Sequence, residues 1–317
     1  MSLRSLYDLP APAKLNLFLH VVGRRDDGYH LLQSPFVLID WADTLHFERR
    51  DDGRLTRHDL GPALPAEDLC MKAARALQAA SGTALGVDIS IDKQVPWGAG
   101  MGGGSSDAAT TLLALNRLWG MNWPRQRLLE LAARIGADVP FFVGGRNAFV
   151  EGIGDRLTPI DWPSHWYAVV KPVAALETRA IFEHPALVRD TEPVILAGFL
   201  VEAGLDAAVD AQGRTGAPGG NQASEVVEPE HFFGRNDLQA PAEHQCAEVS
   251  MAARWLETRF GNSRMTGSGS AVFARAGNCA GPGAPPRATF PADELPPGWV
   301  GRMCRSLPAH PLLEWAA

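Results

Sequence analysis

Between Val95 and Trp119 the chain reads V-P-W-G-A-G-M-G-G-G-S-S-D-A-A-T-T-L-L-A-L-N-R-L-W, with Gly98, Gly100, Gly102, Gly103 and Gly104 packed into seven positions. Apolar Ala108, Leu112, Leu115 and Trp119 follow at i, i+4, i+7 and i+11, the spacing of one helix face. A glycine run that ends at a helix start constrains the fold strongly. Glycine admits positive φ and close backbone approach, consecutive N–H groups can form a concave donor nest, and the helix adds about half a positive charge at its first turn. Ser105, Ser106 and Asp107 stand where capping residues are expected. The stretch therefore predicts a phosphate cradle rather than a flexible linker.

Two familiar cradles do not fit. A Walker A loop needs Gly-Lys-Ser/Thr, and no lysine lies between Trp97 and Arg117. Gly98-x-Gly100-x-x-Gly103 matches a dinucleotide fingerprint, but Pro96 and Trp97 separate it from the preceding strand and no acidic residue stands about twenty positions on. The companions of a protein kinase, H-R-D and D-F-G, are absent from the chain.

The remaining sequence divides into alternating and helical patterns. Ala13 to Val22 alternates, with Leu15, Leu17, Leu19 and Val21 on one face and Lys14, Asn16, Phe18 and His20 on the other, which predicts a strand with one buried face. Strands are also expected at Phe36–Ile39, Leu45–Arg50, Gly86–Asp92, Asn147–Glu151 and Trp166–Lys171. Helices are expected from Ala66 to Ala80, stopped by Gly82, from Pro124 to Ile135, and along a stripe of Ala242, Cys246, Val249, Ala253, Leu256 and Phe260. Residues 205–231 lack periodicity and read as a mobile insertion, and 277–298 is rich in proline and glycine.

Composition excludes several classes. With a formal charge of −7 there is no basic footprint for nucleic acid or an anionic membrane. No apolar run approaches the roughly 20 residues that span a bilayer, and the start M-S-L-R-S-L-Y-D has no signal-peptide core, so a cytoplasmic protein with reduced thiols is expected. The four cysteines show no C-x-x-C spacing. At 317 residues the chain is long enough for two domains, and a boundary near Pro159 to Ser164 divides 1–162 from 163–317.

The glycine stretch resembles P-x-x-x-G-L-G-S-S-A, the nucleotide loop of the galactokinase, homoserine kinase, mevalonate kinase and phosphomevalonate kinase (GHMP) superfamily. Taken with P-A-K-L-N-L, R-x-D-G-Y-H, I-S-I-D-K-x-x-P, G-A-D-V-P-F-F and the Thr178–Phe182 segment, it resembles that superfamily's diphosphocytidyl-methylerythritol kinases over about residues 10 to 275. The resemblance implies an α+β two-domain fold, in which an N-terminal mixed sheet with helices presents the glycine loop and a smaller C-terminal sheet-and-helix domain completes the enzyme. It implies ATP and Mg²⁺ as cofactors, phosphorylation of the 2-hydroxyl of a cytidine diphosphate methylerythritol in the non-mevalonate route to isoprenoids, and no nucleic-acid or membrane partner.

It also carries roles to matching residues. Lys14 and Asp138 would be catalytic, although an aspartate before Val139-Pro140 could simply cap a helix. Lys93, Pro96, Trp97, Gly98, Ala99, Gly100, Met101, Gly102, Gly103, Gly104, Ser105 and Ser106 would hold ATP, with Ser105 or Ser106 reaching the metal. Asn16, Tyr29, His30 and Phe182 would bind substrate, Tyr29 and Phe182 on opposite faces of the cytosine. Thr266, Gly267, Ser268 and Gly269 form the superfamily's third motif, which would support the phosphate loop. One departure stands out: Asp68 replaces the family's usual asparagine at the start of its helix. The alternatives are a superfamily kinase for another small alcohol such as mevalonate or homoserine, a nicotinamide-dependent oxidoreductase, or an inactive binding module.

Overall fold

The structure is a computed structural model and describes residues 3–65, 68–202, 233–279, 285–286 and 288–317. The expected insertion at 205–231 lies outside the described residues, as does part of 277–298. The elements run β1 (Ser5–Asn16), β2 (His20–Arg24), β3 (His30–Arg50), β4 (Leu55–Asp59), α1 (Leu69–Ser81), β5 (Gly86–Asp92), α2 (Gly103–Leu118), α3 (Arg125–Ala132) and α4 (Val139–Gly144). They continue with β6 (Ala148–Gly152), β7 (Arg156–Pro159), β8 (His165–Lys171), α5 (Thr178–Glu183), α6 (Leu196–Glu202), α7 (Gln239–Gln245), α8 (Ala247–Phe260), β9 (Arg264–Met265), β10 (Val272–Asn278) and β11 (Val300–Arg305).

By contacts the chain forms two compact units, one of Met1–Leu15, Leu38–Arg146 and Cys304–Ala317, the other of Asn16–Val37 and Asn147–Met303. These units interleave along the sequence, whereas the sequence suggested one cut between 162 and 163. The reason is visible in β3, which read as two strands but is one: His30 to Val37 belongs to the second unit and Leu38 to Arg50 to the first. No turn interrupts it because Trp41 and Asp43, in the supposed connector, are buried and bonded to the segment after β5.

In the first unit, β3 pairs antiparallel with β5 from Thr44↔Asp92 to Arg50↔Gly86, and β4 pairs parallel with β5, which makes the sheet mixed. Helices α1, α2, α3 and α4 pack on one another. The predicted stripe of α2 understates its burial: from Ser106 to Leu118 all residues but Arg117 are buried, as for a helix enclosed on every side. Asp68 accepts from Met71 N at 2.8 Å and caps α1, and its other oxygen lies 2.9 Å from Arg57 Nη1, so here the aspartate is a helix cap and an ion-pair partner.

In the second unit, the first half of β3 pairs with β2 and β6, and β6 with β7. A smaller antiparallel sheet has the order β11-β8-β10-β9, and α8 packs on β8 and β10. Its core is Ala168, Val170, Val272 and Ala274 from the strands against Val249, Ala252 and Leu256 from the helix. The expected Ala13–Val22 strand is broken: β1 ends at Asn16, β2 starts at His20, and Lys14, Asn16, Phe18 and His20 on the supposed solvent face are all buried. The long C-terminal helix is also two, broken at Cys246, whose backbone is extended at φ −145° and ψ 107°. No disulfide joins the four cysteines, and no helix among the described residues is long and apolar enough to cross a membrane.

Candidate active site

The loop after β5 is held before its glycines begin. Asp43 Oδ1 accepts from Gln94 N at 2.6 Å and Val95 N at 2.7 Å, and Trp41 Nε1 donates to Gln94 O at 2.7 Å. Lys93 Nζ is bonded to the other oxygen of Asp43 and, at 2.7 Å, to Asp107 Oδ2 on α2. Burial works against the Lys93 charge, but the two carboxylates outweigh it and raise its pKa, while burial raises that of Asp107 and the Lys93 charge opposes the rise. The Lys93 ammonium, expected beside the nucleotide, is thus occupied by two buried carboxylates.

Gly98, Gly100 and Gly102 take φ of 65°, 74° and 70°, the left-handed conformations that a nest requires. Gly103 and Gly104 do not; they are the first residues of α2. The cap is Gly102, which makes no side-chain cap bond, so Ser105 and Ser106 lie inside the first turn rather than capping it, and Asp107 lies one residue further along the helix. The leading N–H groups of the helix are left to accept an anion. Ser106 Oγ and Asp107 Oδ1 are buried with no partner among the described residues, while Ser105 is half-buried. Pro96 and Gly98 are half-buried, Ala99 and Met101 are buried, and Trp97 is 74% exposed.

Lys14 is tied to this loop through its backbone, its N–H donating to Met101 O at 3.0 Å. Its ammonium lies 3.7 Å from Asp138 Oδ2, with the lysine side chain 4% and the aspartate side chain 32% exposed. Burial pulls the Lys14 pKa below its ordinary value, and the Asp138 carboxylate opposes that pull. Asp138 occupies the N-cap position of α4, yet its side chain makes no cap bond. Its carboxylate is spent on the lysine, not on the helix.

In the second unit, Asn16 Nδ2 donates to Ser34 Oγ at 2.9 Å, and Asn16 N donates to Thr266 Oγ1 at 2.9 Å. The third motif is a pinned turn. Asn236 Nδ2 donates to Met265 O at 2.7 Å and Gly267 O at 2.8 Å, and Gly269 N donates to Thr266 O at 3.1 Å. Ser268 Oγ lies 2.8 Å from Thr178 Oγ1, the first residue of α5, which carries Phe182. The Phe182 ring packs on His30 with centroids 5.0 Å apart, and Tyr29 beside it is 62% exposed. Arg189 Nε donates to His30 Nε2 at 3.2 Å. Asp43, Ser34, Asn236 and Arg189 were not anticipated; each acts on a residue distant in sequence and none lies in a periodic pattern.

Residues 68–146 match the family model described as GHMP kinases N terminal domain. The chain is 60% identical over 316 residues, all of both chains, to a protein of Methylibium petroleiphilum named 4-diphosphocytidyl-2-C-methyl-D-erythritol kinase. The chain belongs to this kinase family. A protein of the same name from Albidiferax ferrireducens is 51% identical over 99% of this chain and 96% of its own. A crystal structure of 4-(cytidine 5'-diphospho)-2C-methyl-D-erythritol kinase superposes with a TM-score of 0.70 at 34% identity, covering 94% of this chain and 98% of that one. Family membership makes the protein an ATP-dependent kinase with the α+β fold expected from its motifs. The dinucleotide spacing is therefore coincidental: the strand that feeds the loop, β5, lies in a mixed sheet, antiparallel to β3 and parallel to β4, unlike the mostly parallel sheet of a nicotinamide-binding fold.

Proposed function

We propose that the chain transfers the γ-phosphoryl group of ATP to the 2-hydroxyl of 4-diphosphocytidyl-2-C-methyl-D-erythritol, with Asp138 as base and Lys14 as its charge partner. The observation that carries this is the Lys14–Asp138 pair, held by the Lys14–Met101 backbone bond at the glycine loop. Phosphoryl transfer asks a protein for position and charge stabilisation more than for covalent chemistry. The uncapped start of α2 and the nest of Gly98, Gly100 and Gly102 take phosphate charge. Asp138 accepts the proton of the acceptor hydroxyl. Lys14, nearly buried, lies 3.7 Å from that carboxylate and stabilises charge on the oxygen it activates. The cytidine is assigned in this reading to His30, Tyr29, Phe182 and Asn16, all of which belong to the second unit.

Mg²⁺ suits the start of α2, since the Ser106 hydroxyl is a hard ligand with no partner among the described residues. It would be held there largely through the nucleotide phosphates, because no cluster of three or more histidine, cysteine or acidic side chains suited to a metal occurs among the described residues. When bound it neutralises phosphate charge. A cytoplasmic location with the nucleotide pool completes the reading.

Coupled ADP release tests it. The cytidine diphosphate alcohol should support turnover and mevalonate should not. Turnover with mevalonate alone would place the protein with the other small-alcohol kinases.

A further inference from the structure

In the second unit the segment after α5 folds back so that one guanidinium joins His30 to the helix end. Arg189 Nη2 donates to Phe182 O at 3.0 Å and His184 O at 3.1 Å, and Nη1 donates to Leu187 O at 2.9 Å. Nε–H, one of the two remaining donors, meets His30 Nε2 at 3.2 Å. A guanidinium has donors and no acceptor, so the nitrogen it meets must present a lone pair. A neutral imidazole carries one N–H, and with Nε2 bare that hydrogen sits on Nδ1.

We infer that Arg189 is a specificity-determining positioning residue: it holds His30 as the Nδ1–H tautomer, so that the ring offers a hydrogen-bond donor to the base of the acceptor substrate. This rests on the reading above, in which the acceptor carries cytosine and His30 meets it. Cytosine N3 is an acceptor, whereas uracil N3 bears a hydrogen and is a donor. An Nδ1–H is satisfied by the first and opposed by the second. The other tautomer, with a bare Nδ1, would reverse the preference, and a doubly protonated ring could not rotate an acceptor into place. Burial, followed by the charges of Arg189 and Arg24, pushes His30 below its ordinary pKa, which keeps the second proton off the ring.

Arg189 also braces the end of α5, so its role is not read from KM alone. A displaced Phe182 would weaken cytosine and uracil alike. The ratio of the two is the quantity that the tautomer controls.

The test compares kcat/KM for the cytidine diphosphate alcohol and for its uridine counterpart in the wild type, Arg189→Met and Arg189→Lys. Arg189→Met should lower the cytosine-over-uracil ratio about 5- to 150-fold, the worth of one mispaired hydrogen-bonding group, with KM for ATP unchanged. Arg189→Lys keeps a cationic donor and should restore part of the ratio. The ¹⁵N spectrum of the wild-type imidazole, assigned against His30→Gln, should show the Nδ1-protonated form. An Nε2-protonated or cationic His30, or an unchanged ratio in folded Arg189→Met, would overturn the proposal. Should Arg189→Met fail to fold, the wild-type spectrum decides by itself. Failure of the wild type to use the cytidine substrate at all would instead remove the functional reading, and the spectrum would still report on Arg189 and His30.

Discussion

Two lysines of the first unit serve the same glycine loop and are built in opposite ways. Lys14 faces one carboxylate, Asp138, at 3.7 Å, and that partner is 32% exposed. Lys93 lies between Asp43 and Asp107, whose side chains are 0% and 5% exposed, and Asp43 also grips two backbone N–H groups of the loop. Burial depresses the first lysine, and two buried carboxylates raise the second. The loose, partly solvated pair leaves the Asp138 carboxylate reachable, as the proposed base must be. The closed triad has none to spare and acts as a clamp. A lysine beside a phosphate loop is therefore not by itself a phosphate ligand; its partners decide.

The largest effect should come from the loose pair. Asp138→Asn should lower kcat by about 10²–10⁴, or roughly 3–5.5 kcal/mol of barrier, with nucleotide affinity little changed in steady-state kinetics. Near wild-type turnover with a lower melting temperature would reduce Asp138 to a structural charge partner of Lys14. The clamp should respond differently. Lys93→Met leaves Asp43 and Asp107 buried without their cation and should cost about 3–5 kcal/mol of stability in urea unfolding. A stability change under about 1 kcal/mol would show that the triad is not a clamp.

Two neighbouring glycines sharpen the contrast. A Cβ on Gly102 would lie 3.0 Å from the Phe142 ring and 3.4 Å from Lys14 Cε, at a φ of 70°; one on Gly103 would lie 3.0 Å from Val95 Cγ1 and 3.5 Å from Lys93 Nζ, in helical backbone. Gly102→Ala should therefore lose about 1–2 kcal/mol more stability than Gly103→Ala, since only the first is forced into left-handed backbone. Equal losses by thermal melting would mean that the positive φ is not required.

How legible this was in the sequence follows from where the partners lie. The β5 strand was readable at Gly86–Asp92 because its alternation is local, and the positive-φ loop because glycine marks it. Asp138 was singled out only through its motif. The clamp was not, because Asp43 stands 50 residues before Lys93 in a stretch that looks like a connector. Likewise Arg189 reaches His30 across 159 residues and Asn236 reaches Gly267 across 31, and a periodicity of two or 3.6 carries no trace of such pairings. The broken strand after Asn16 failed for a related reason: alternation assumes that one face meets solvent, and here both are buried.

The smallest difference lies in pH dependence. Lys93 is raised above 10.5, so its stabilisation is complete below the titration of an unfolded lysine and is lost as pH rises through its folded value. Lys14 is lowered from 10.5, so between its folded value and 10.5 the unfolded chain binds more protons and stability from this group rises with pH. Wild-type unfolding free energy relative to Lys93→Met should fall at high pH, and relative to Lys14→Met should climb, each by about 1 kcal/mol or less. Slopes of the same sign would contradict the opposite shifts.

Lys14→Met, assayed for turnover and unfolding free energy in one preparation, tests the division of labour between the lysines most directly. An apolar side chain of similar length at a buried lysine whose partner carboxylate, Asp138, is partly solvated should leave stability within about 1 kcal/mol of wild type, and kcat should drop about 10²–10³-fold. Wild-type turnover combined with a loss of about 3 kcal/mol or more, the behaviour expected of Lys93, would show that Lys14 is the clamp and that the chemistry lies elsewhere.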